Sequence, residues 1–261
     1  MIASSADPAT GFSIVTRPDG TTIGYRRTPA GSGPARPGIV FLGGYASDMG
    51  GTKATALDRH CRARGLAFVR FDYSGHGVSS GRLADGTIGA WRDDALAVLD
   101  GVTAGPQILV GSSMGAWIML LVASARPGRI AGLVGVAAAP DFTEDLIRPA
   151  LDEAEHAALR RDGAVQRPSA YGPALVFGAR LLDEARHHLV LRHDLPIAVP
   201  VRLLHGMADL DVPWSTSRRL ADRLASADVV LTLIKDGDHR LARPADLARL
   251  TAAVDELSGA G

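Results

Sequence analysis

Gly111-Ser112-Ser113-Met114-Gly115 fits the pattern G-x-S-x-G and follows directly on the apolar run Gln107-Ile108-Leu109-Val110. A strand that feeds a sharp turn, with Ser113 at the apex and the helix-forming run Ala116 to Leu121 behind it, is the context in which this pattern presents a nucleophilic serine. Glycine at both ends lets strand and helix crowd the serine without a Cβ clash. The chemistry implied is nucleophilic attack by a hydroxyl, which needs a neutral imidazole to take its proton and a carboxylate to fix the imidazole's tautomer.

Both partners are present downstream, in the order serine, acid, histidine, each after a later strand. Val201 to Leu204 reads as a buried strand, and His205-Gly206-Met207-Ala208-Asp209-Leu210-Asp211-Val212-Pro213 turns out of it. Val229 to Ile234 is the next strand and leads into Lys235-Asp236-Gly237-Asp238-His239. That placement makes His239 the base. Asp209 and Asp211 compete for the acid, and only one can face the imidazole, because residues two apart on a turn do not share a direction. The alternative for Asp211 is to cap the helix expected to begin near Trp214 and Ser215. His205, at a strand end, is expected to prop the acid loop, and His76, in a Gly-rich turn, to be structural.

A tetrahedral intermediate needs backbone donors aimed at its oxyanion. The amide of Met114, next after the nucleophile, is one candidate. Tyr45, in the open loop Gly43-Gly44-Tyr45 after the strand Gly38 to Leu42, is expected to supply the second. His187, His188 and His193 lack a matching cysteine or carboxylate set and read as a solvated helix end, so neither metal nor cofactor is expected.

The elements that must position these groups alternate. A hairpin is expected around Arg17-Pro18-Asp19-Gly20, between strands Phe12 to Thr16 and Thr21 to Arg27. Then come strand Gly38 to Leu42, helix Thr52 to Arg64, strand Leu66 to Asp72, helix Ala90 to Val102, the elbow with its helix, and strand Ile130 to Ala138. Continuous apolar strands alternating with helices predict an α/β fold with a mostly parallel sheet covered on both faces. The interval Asp141 to Pro196 breaks the rhythm with three proline-bearing turns. It is expected to be a small helical cap inserted over the strand ends, leaving 1–140 and 197–261 as the core. Its apolar members Phe142, Leu146, Ile147, Tyr171, Leu175, Val176 and Phe177 could line an acyl pocket, with Phe142, Ile147 and Phe177 put forward as substrate-binding.

Composition sets the outer bounds. The chain has 261 residues, 46% hydrophobic and 21% charged, which suits one large folded domain. Lys+Arg and Asp+Glu both number 28, and no basic run is interleaved with aromatics, so nucleic acid is not an expected partner. The apolar stretches around Trp117–Ala125 and Ile130–Ala139 are each too short for a membrane span. Met1 to Thr10 shows neither a basic n-region nor an apolar h-region, so no signal peptide is expected. A single cysteine, Cys61, excludes an internal disulfide and suits a cytoplasmic location; mid-helix, it reads as a packed thiol.

Gly43-Gly44-Tyr45, the stretch Phe71 to Ser79, the elbow, His205 to Pro213 and Asp238-His239 together resemble the α/β-hydrolase superfamily. Within it, Asp48 to Ala54, Arg70 to Gly75, Gly105 to Ser113, Arg202 to Met207 with Val212-Pro213-Trp214, and Asp238-His239-Arg240 are similar to the mitochondrial palmitoyl-protein thioesterases that also hydrolyse acyl glucuronides, as a bacterial homologue. The resemblance implies Ser113, Asp209 and His239 as the triad, with the Tyr45 and Met114 amides as the oxyanion hole. It implies a serine hydrolase acting on a small-molecule ester or thioester, or on an acylated protein. Gly43-Gly44 stands where many superfamily members have His-Gly, Ala116 stands where a second glycine is frequent, and the cap is the least similar part. A serine aminopeptidase of the same fold would need an acidic patch for a substrate ammonium, for which Asp141, Glu144, Asp145, Asp152, Glu153 and Glu155 are available. A non-catalytic small-molecule-binding protein on this fold is the third reading.

Overall fold

The computed structural model describes residues 3–7, 11–169 and 172–260. Tyr171, put forward above for the acyl pocket, lies outside the described residues. In chain order the elements are β1 (Ala3–Asp7), β2 (Phe12–Thr16), β3 (Thr22–Thr28), β4 (Gly38–Leu42), α1 (Thr52–Arg64), β5 (Phe68–Phe71), α2 (Ile88–Val102), β6 (Gln107–Ser112), α3 (Met114–Ala125), β7 (Ile130–Val136), α4 (Glu153–Asp162), β8 (Ala164–Ser169), β9 (Gly172–Gly178), α5 (Ala179–Glu184), β10 (Val201–Gly206), α6 (Ser215–Arg223), β11 (Val229–Ile234) and α7 (Pro244–Ser258).

Nine strands form one sheet in the order β1-β2-β3-β5-β4-β6-β7-β10-β11, antiparallel through β1, β2, β3 and β5 and parallel from β5 onward. This is the α/β-hydrolase fold. Alternation along each central strand divides its side chains between two cores. Val40, Leu42 and Leu109 pack with Trp91 of α2 and Trp117 of α3, while Ile39, Phe41, Ile108 and Val110 pack with Leu57 of α1 and Leu250 of α7. Apolar residues at every strand position are therefore required, which is why these strands read as continuous runs.

Chain order departs from β4 in both directions: α1 leads to β5 on one side, and α2 leads to β6 on the other. Order reverses between β4 and β6, and at such a switch point the loops beyond the strands' carboxyl ends part to leave a crevice. Pairing of Leu42 with Gly111, Ser112 with Val136, Leu204 with Val136, and Gly206 with Ile234 sets the ends of β4, β6, β7, β10 and β11 side by side.

Several boundaries differ from the sequence reading for local reasons. Helix α2 begins two residues before Ala90, because the Thr87 hydroxyl accepts the Ala90 amide as an N-cap. Strand β7 stops at Val136 because Ala137 takes a positive φ of 47°. The insertion between β7 and β10 holds, besides its short helices, the two-stranded antiparallel sheet β8–β9, which the sequence did not signal. Asp141, fully buried at φ 58°, accepts the amides of Val190 (2.8 Å) and Leu191 (2.9 Å), tying the start of the inserted segment to its end.

Candidate active site

Ser113 sits between β6 and α3 at φ 55°, ψ −121°, a backbone region that non-glycine residues enter only under tertiary constraint. The constraint is visible at both glycines. A Cβ at Gly111 would fall 2.6 Å from the Ala116 Cα, and one at Gly115 would fall 2.1 Å from the Leu42 carbonyl oxygen. Strand, turn and helix close on each other at those points, which leaves the serine hydroxyl projecting beyond the sheet.

The His239 Nε2 lies 3.0 Å from Ser113 Oγ, and its Nδ1 lies 2.8 Å from Asp209 Oδ2. Two loops make this possible. They cross at Gly206 and Gly237, where a Cβ on Gly206 would meet the Gly237 carbonyl oxygen at 2.2 Å, and Ala208 donates its amide to that same oxygen at 3.0 Å. Asp209 Oδ1 accepts the amides of Asp211 (2.9 Å) and Val212 (2.8 Å), leaving Oδ2 for imidazoles. Burial by itself would raise the Asp209 carboxyl; the bonds from His205 and His239 outweigh it and hold the group well below the ordinary carboxylate range. Asp211 is exposed at the cavity wall, its carboxylate within 4.8 Å of the Asp209 and His239 polar atoms, but its hydrogen bond to the acid is made by its backbone amide. It does not cap the next helix: α6 begins after Trp214 with no side-chain cap.

The loop after β4 runs beside the serine, with Gly44 placed so that a Cβ there would lie 3.5 Å from the Ser113 Cβ. Two side chains that the sequence marked only as structural, or not at all, hold this loop. His76 accepts the Ala46 amide at Nε2 (3.1 Å) and reaches the Ser74 carbonyl through Nδ1 (3.2 Å), and burial lowers its basicity, which suits the acceptor role. Asp72 accepts the amides of Met49 (2.6 Å) and Val78 (2.9 Å), bridging the loops after β4 and β5. Their signal was the Phe71 to Ser79 stretch, whose types were legible but whose target was not. Tyr45 turns its ring onto Phe177 of β9, stacked at 5.2 Å, and its hydroxyl donates to the Val176 carbonyl. Met114 opens α3, where the first amides of a helix have no intrahelical acceptor.

A cavity of about 750 Å³ opens over these groups, lined by Gly44, Tyr45, Ser113, Met114 and His239 at its floor. Phe142, Leu146, Ile147, Leu175, Val176 and Phe177 of the inserted segment line it too, so every described member of the expected acyl-pocket set reaches it. Phe142 and Phe177 are also core residues, 8% and 4% exposed, and Phe142 packs edge-on to Trp117 at 5.8 Å. Beyond the serine, Lys53 of α1 donates to the Arg240 carbonyl at 2.5 Å; burial and Arg240 push its ammonium down to about 8.

The remaining candidates fall outside this cavity. Cys61 is buried in α1 and desolvation, aided by Asp58 and Asp255, pushes its thiol up to about 12, which removes it as a nucleophile. His188 pairs with Glu184 at 2.6 Å one helical turn away, while His187 and His193 are exposed. Among the described residues the one convergent group of potential metal ligands is Asp209, Asp211 and His239, whose carboxylate and imidazole are already bonded to each other.

Residues 33–166 match the hydrolase family described as serine aminopeptidase, S33. The Bos taurus protein named palmitoyl-protein thioesterase ABHD10, mitochondrial, is 43% identical over 252 residues, covering 95% of this chain and 80% of that protein. The chain belongs to the α/β-hydrolase superfamily. Among solved structures, the mouse α/β-hydrolase domain-containing protein 10 superposes on this hydrolase with a TM-score of 0.85 at 41% identity, covering 94% of this chain and 97% of the other. A crystal structure from Agrobacterium vitis S4 superposes with a TM-score of 0.90 at 40% identity, covering 99% of each chain. No helix among the described residues of this hydrolase is long and apolar enough to cross a membrane.

Proposed function

We propose that the protein is a serine esterase or thioesterase that works through an acyl-enzyme on Ser113. The observation that carries this reading is the unbroken relay from Asp209 through His239 to the Ser113 hydroxyl, at 2.8 and 3.0 Å. The similar proteins named as palmitoyl-protein thioesterases support the ester and thioester class.

In this reading His239 Nε2 takes the Ser113 proton as Oγ attacks the acyl carbon, and Asp209 stabilises the imidazolium that forms. The negative oxygen of the tetrahedral intermediate is met by the amides of Met114 and Tyr45. As the intermediate collapses, the carbon–oxygen or carbon–sulfur bond breaks and His239 returns the proton to the leaving group. Water, deprotonated by the same imidazole, then releases the acid and restores the serine. The inserted segment, 141–196, acts as a cap whose apolar side chains hold the acyl chain, and the substrate is a small-molecule ester or thioester or an acylated protein.

The family description as a serine aminopeptidase supplies a second reading. An aminopeptidase needs an open carboxylate in the cap for the substrate ammonium. None of Asp141, Glu144, Asp145, Asp152, Glu153 or Glu155 lines the cavity. Asp145 is paired with Arg192 and Arg219, Glu144 with Arg148 and Arg186, and Glu155 with Arg167. Turnover of p-nitrophenyl and acyl-thioester substrates, set beside aminoacyl p-nitroanilides, tests the choice: hydrolysis of the anilides at comparable kcat/KM would reject the esterase reading. Covalent labelling of Ser113 by a fluorophosphonate separates an enzyme from a non-catalytic binder, for which no labelling is expected.

A further inference from the structure

The acid of the relay has a second imidazole. His205, at the end of β10, is fully buried, and its Nε2 lies 3.2 Å from Asp209 Oδ2, the same oxygen that bonds His239. That nitrogen is also 3.0 Å from the Val212 carbonyl. Both neighbours are acceptors, so the proton of the ring belongs on Nε2. On the other side, Nδ1 lies 2.6 Å from the hydroxyl of Ser217, itself fully buried in α6 and free to turn its O–H toward the ring. The Asp209 carboxylate therefore collects four donors, two amides on Oδ1 and two imidazoles on Oδ2.

We infer that His205 is a positioning residue that shares the charge of Asp209, so that the acid orients His239 without binding its proton too tightly. A carboxylate whose charge is spread over more donors attracts each one less. With His205 in place, the imidazolium formed during attack is stabilised yet still able to return its proton to the leaving group. Without it, the whole charge of Oδ2 faces His239, the imidazole holds its proton to higher pH, and the carboxylate is free to turn. His205 does not line the cavity, so substrate affinity is not its task. The other charged groups around the relay are Asp211 on the acid loop, Asp238 and Arg240 flanking His239, and Lys53 of α1 bonded to the Arg240 carbonyl, while the polar partners of the His205 ring are Ser217, Val212 and Asp209. This inference rests on the Ser113 reading above.

The experiment compares His205→Met, which keeps bulk and removes the donor, with His205→Gln, whose terminal amide can restore a donor near the Nε2 position. With a p-nitrophenyl ester, His205→Met is expected to lower kcat roughly tenfold with KM within twofold. Its acid limb of kcat/KM should move to higher pH by about half a unit or more. His205→Gln should recover most of both. A purely structural histidine would lower the melting temperature and leave the pH profile of the surviving activity unchanged, and that result overturns the inference. Failure of His205→Gln to recover a folded His205→Met defect also overturns it. Should His205→Met not fold, long-range ¹H–¹⁵N correlation on the wild-type protein decides: a ring proton on Nε2 supports the inference, and one on Nδ1 sinks it. Ser113→Ala keeps the two readings apart, since a variant that retains activity rejects the Ser113 mechanism itself, whereas an inactive Ser113→Ala beside an unshifted His205→Met rejects only the role of His205.

Discussion

His239 Nε2 and Ser113 Oγ stand 3.0 Å apart although 126 residues separate them in the chain. The distance is set by parallel pairing that runs from β6 through β7 and β10 to β11, placing both residues at the same edge of the sheet. Ser113→Ala should fold as the wild type does and lose about 10⁴- to 10⁶-fold in kcat, because members of such a relay act as a unit. Activity within tenfold of wild type, after contaminating esterases are excluded with the purified variant, would remove Ser113 from the mechanism.

Asp209→Asn is expected to cripple turnover, since the amide would reverse the imidazole tautomer, by about 10⁴-fold. Asp211→Asn should retain most activity, because its side chain is exposed and only its backbone amide supports the acid. Steady-state kcat for the two variants gives the ranking, and the reverse order would move the acid to Asp211.

Acid inactivation should follow a single proton. Because the Asp209 carboxyl is held below its ordinary range by His205 and His239 against the opposing effect of burial, it stays ionised as the pH falls and adds no second proton to the acid limb. Log(kcat/KM) should therefore fall with a limiting slope of one on the acid side. A slope of two would show that the acid titrates alongside. The same downward shift contributes stability that is complete above about pH 4 and is lost as the pH falls further toward the folded-state value.

Acyl-chain preference should reside in the inserted segment. Each methylene buried against Ile147, Leu175 or Phe177 is worth at most about 0.8 kcal/mol, or about fourfold in kcat/KM, until the cavity is full. Ile147→Ala should shift the optimum chain length and leave acetyl-ester turnover comparable. Phe142→Ala and Phe177→Ala should do the same at a further cost in stability of about 3–5 kcal/mol, because both rings are also buried in the core. A chain-length series with p-nitrophenyl esters measures it, and an unchanged series for all three variants would place the acyl chain elsewhere.

Gly115→Ala should destabilise the protein severely, since its Cβ would lie 2.1 Å from the Leu42 carbonyl oxygen and 2.4 Å from that of Gly43. Both obstacles are backbone, so relief means moving α3 away from the loop after β4. Thermal unfolding and soluble yield report this; a variant as stable as wild type would show that α3 and that loop are not held where the structure puts them.

What the chain alone determined was local. The crowding that demands glycine at 111 acts within one turn of backbone, and the two-sided burial of β4, β6, β7 and β10 is written as continuous apolar runs, so elbow, strands and their alternation with helices were all legible, whereas the demand for glycine at 115 comes from the distant carbonyls of Leu42 and Gly43. Ser113 and His239 could be singled out by their places after successive strands, and Asp209 by the resemblance of its motif, with Asp211 as its competitor. The tertiary structure decided what depends on approach between distant segments. Asp209 rather than Asp211 faces the imidazole because the acid loop is pinned where Gly206 meets Gly237, a contact between segments 31 positions apart that neither local pattern encodes. His76 and Asp72 became supports of the loop after β4 only once the sheet had set β4 beside β5. The hairpin β8–β9 left little trace, since its residues are mostly half-buried or exposed and Pro168 and Pro173 interrupt any strand pattern, so that its pairing is fixed by packing against Tyr45 and the core rather than by its own periodicity.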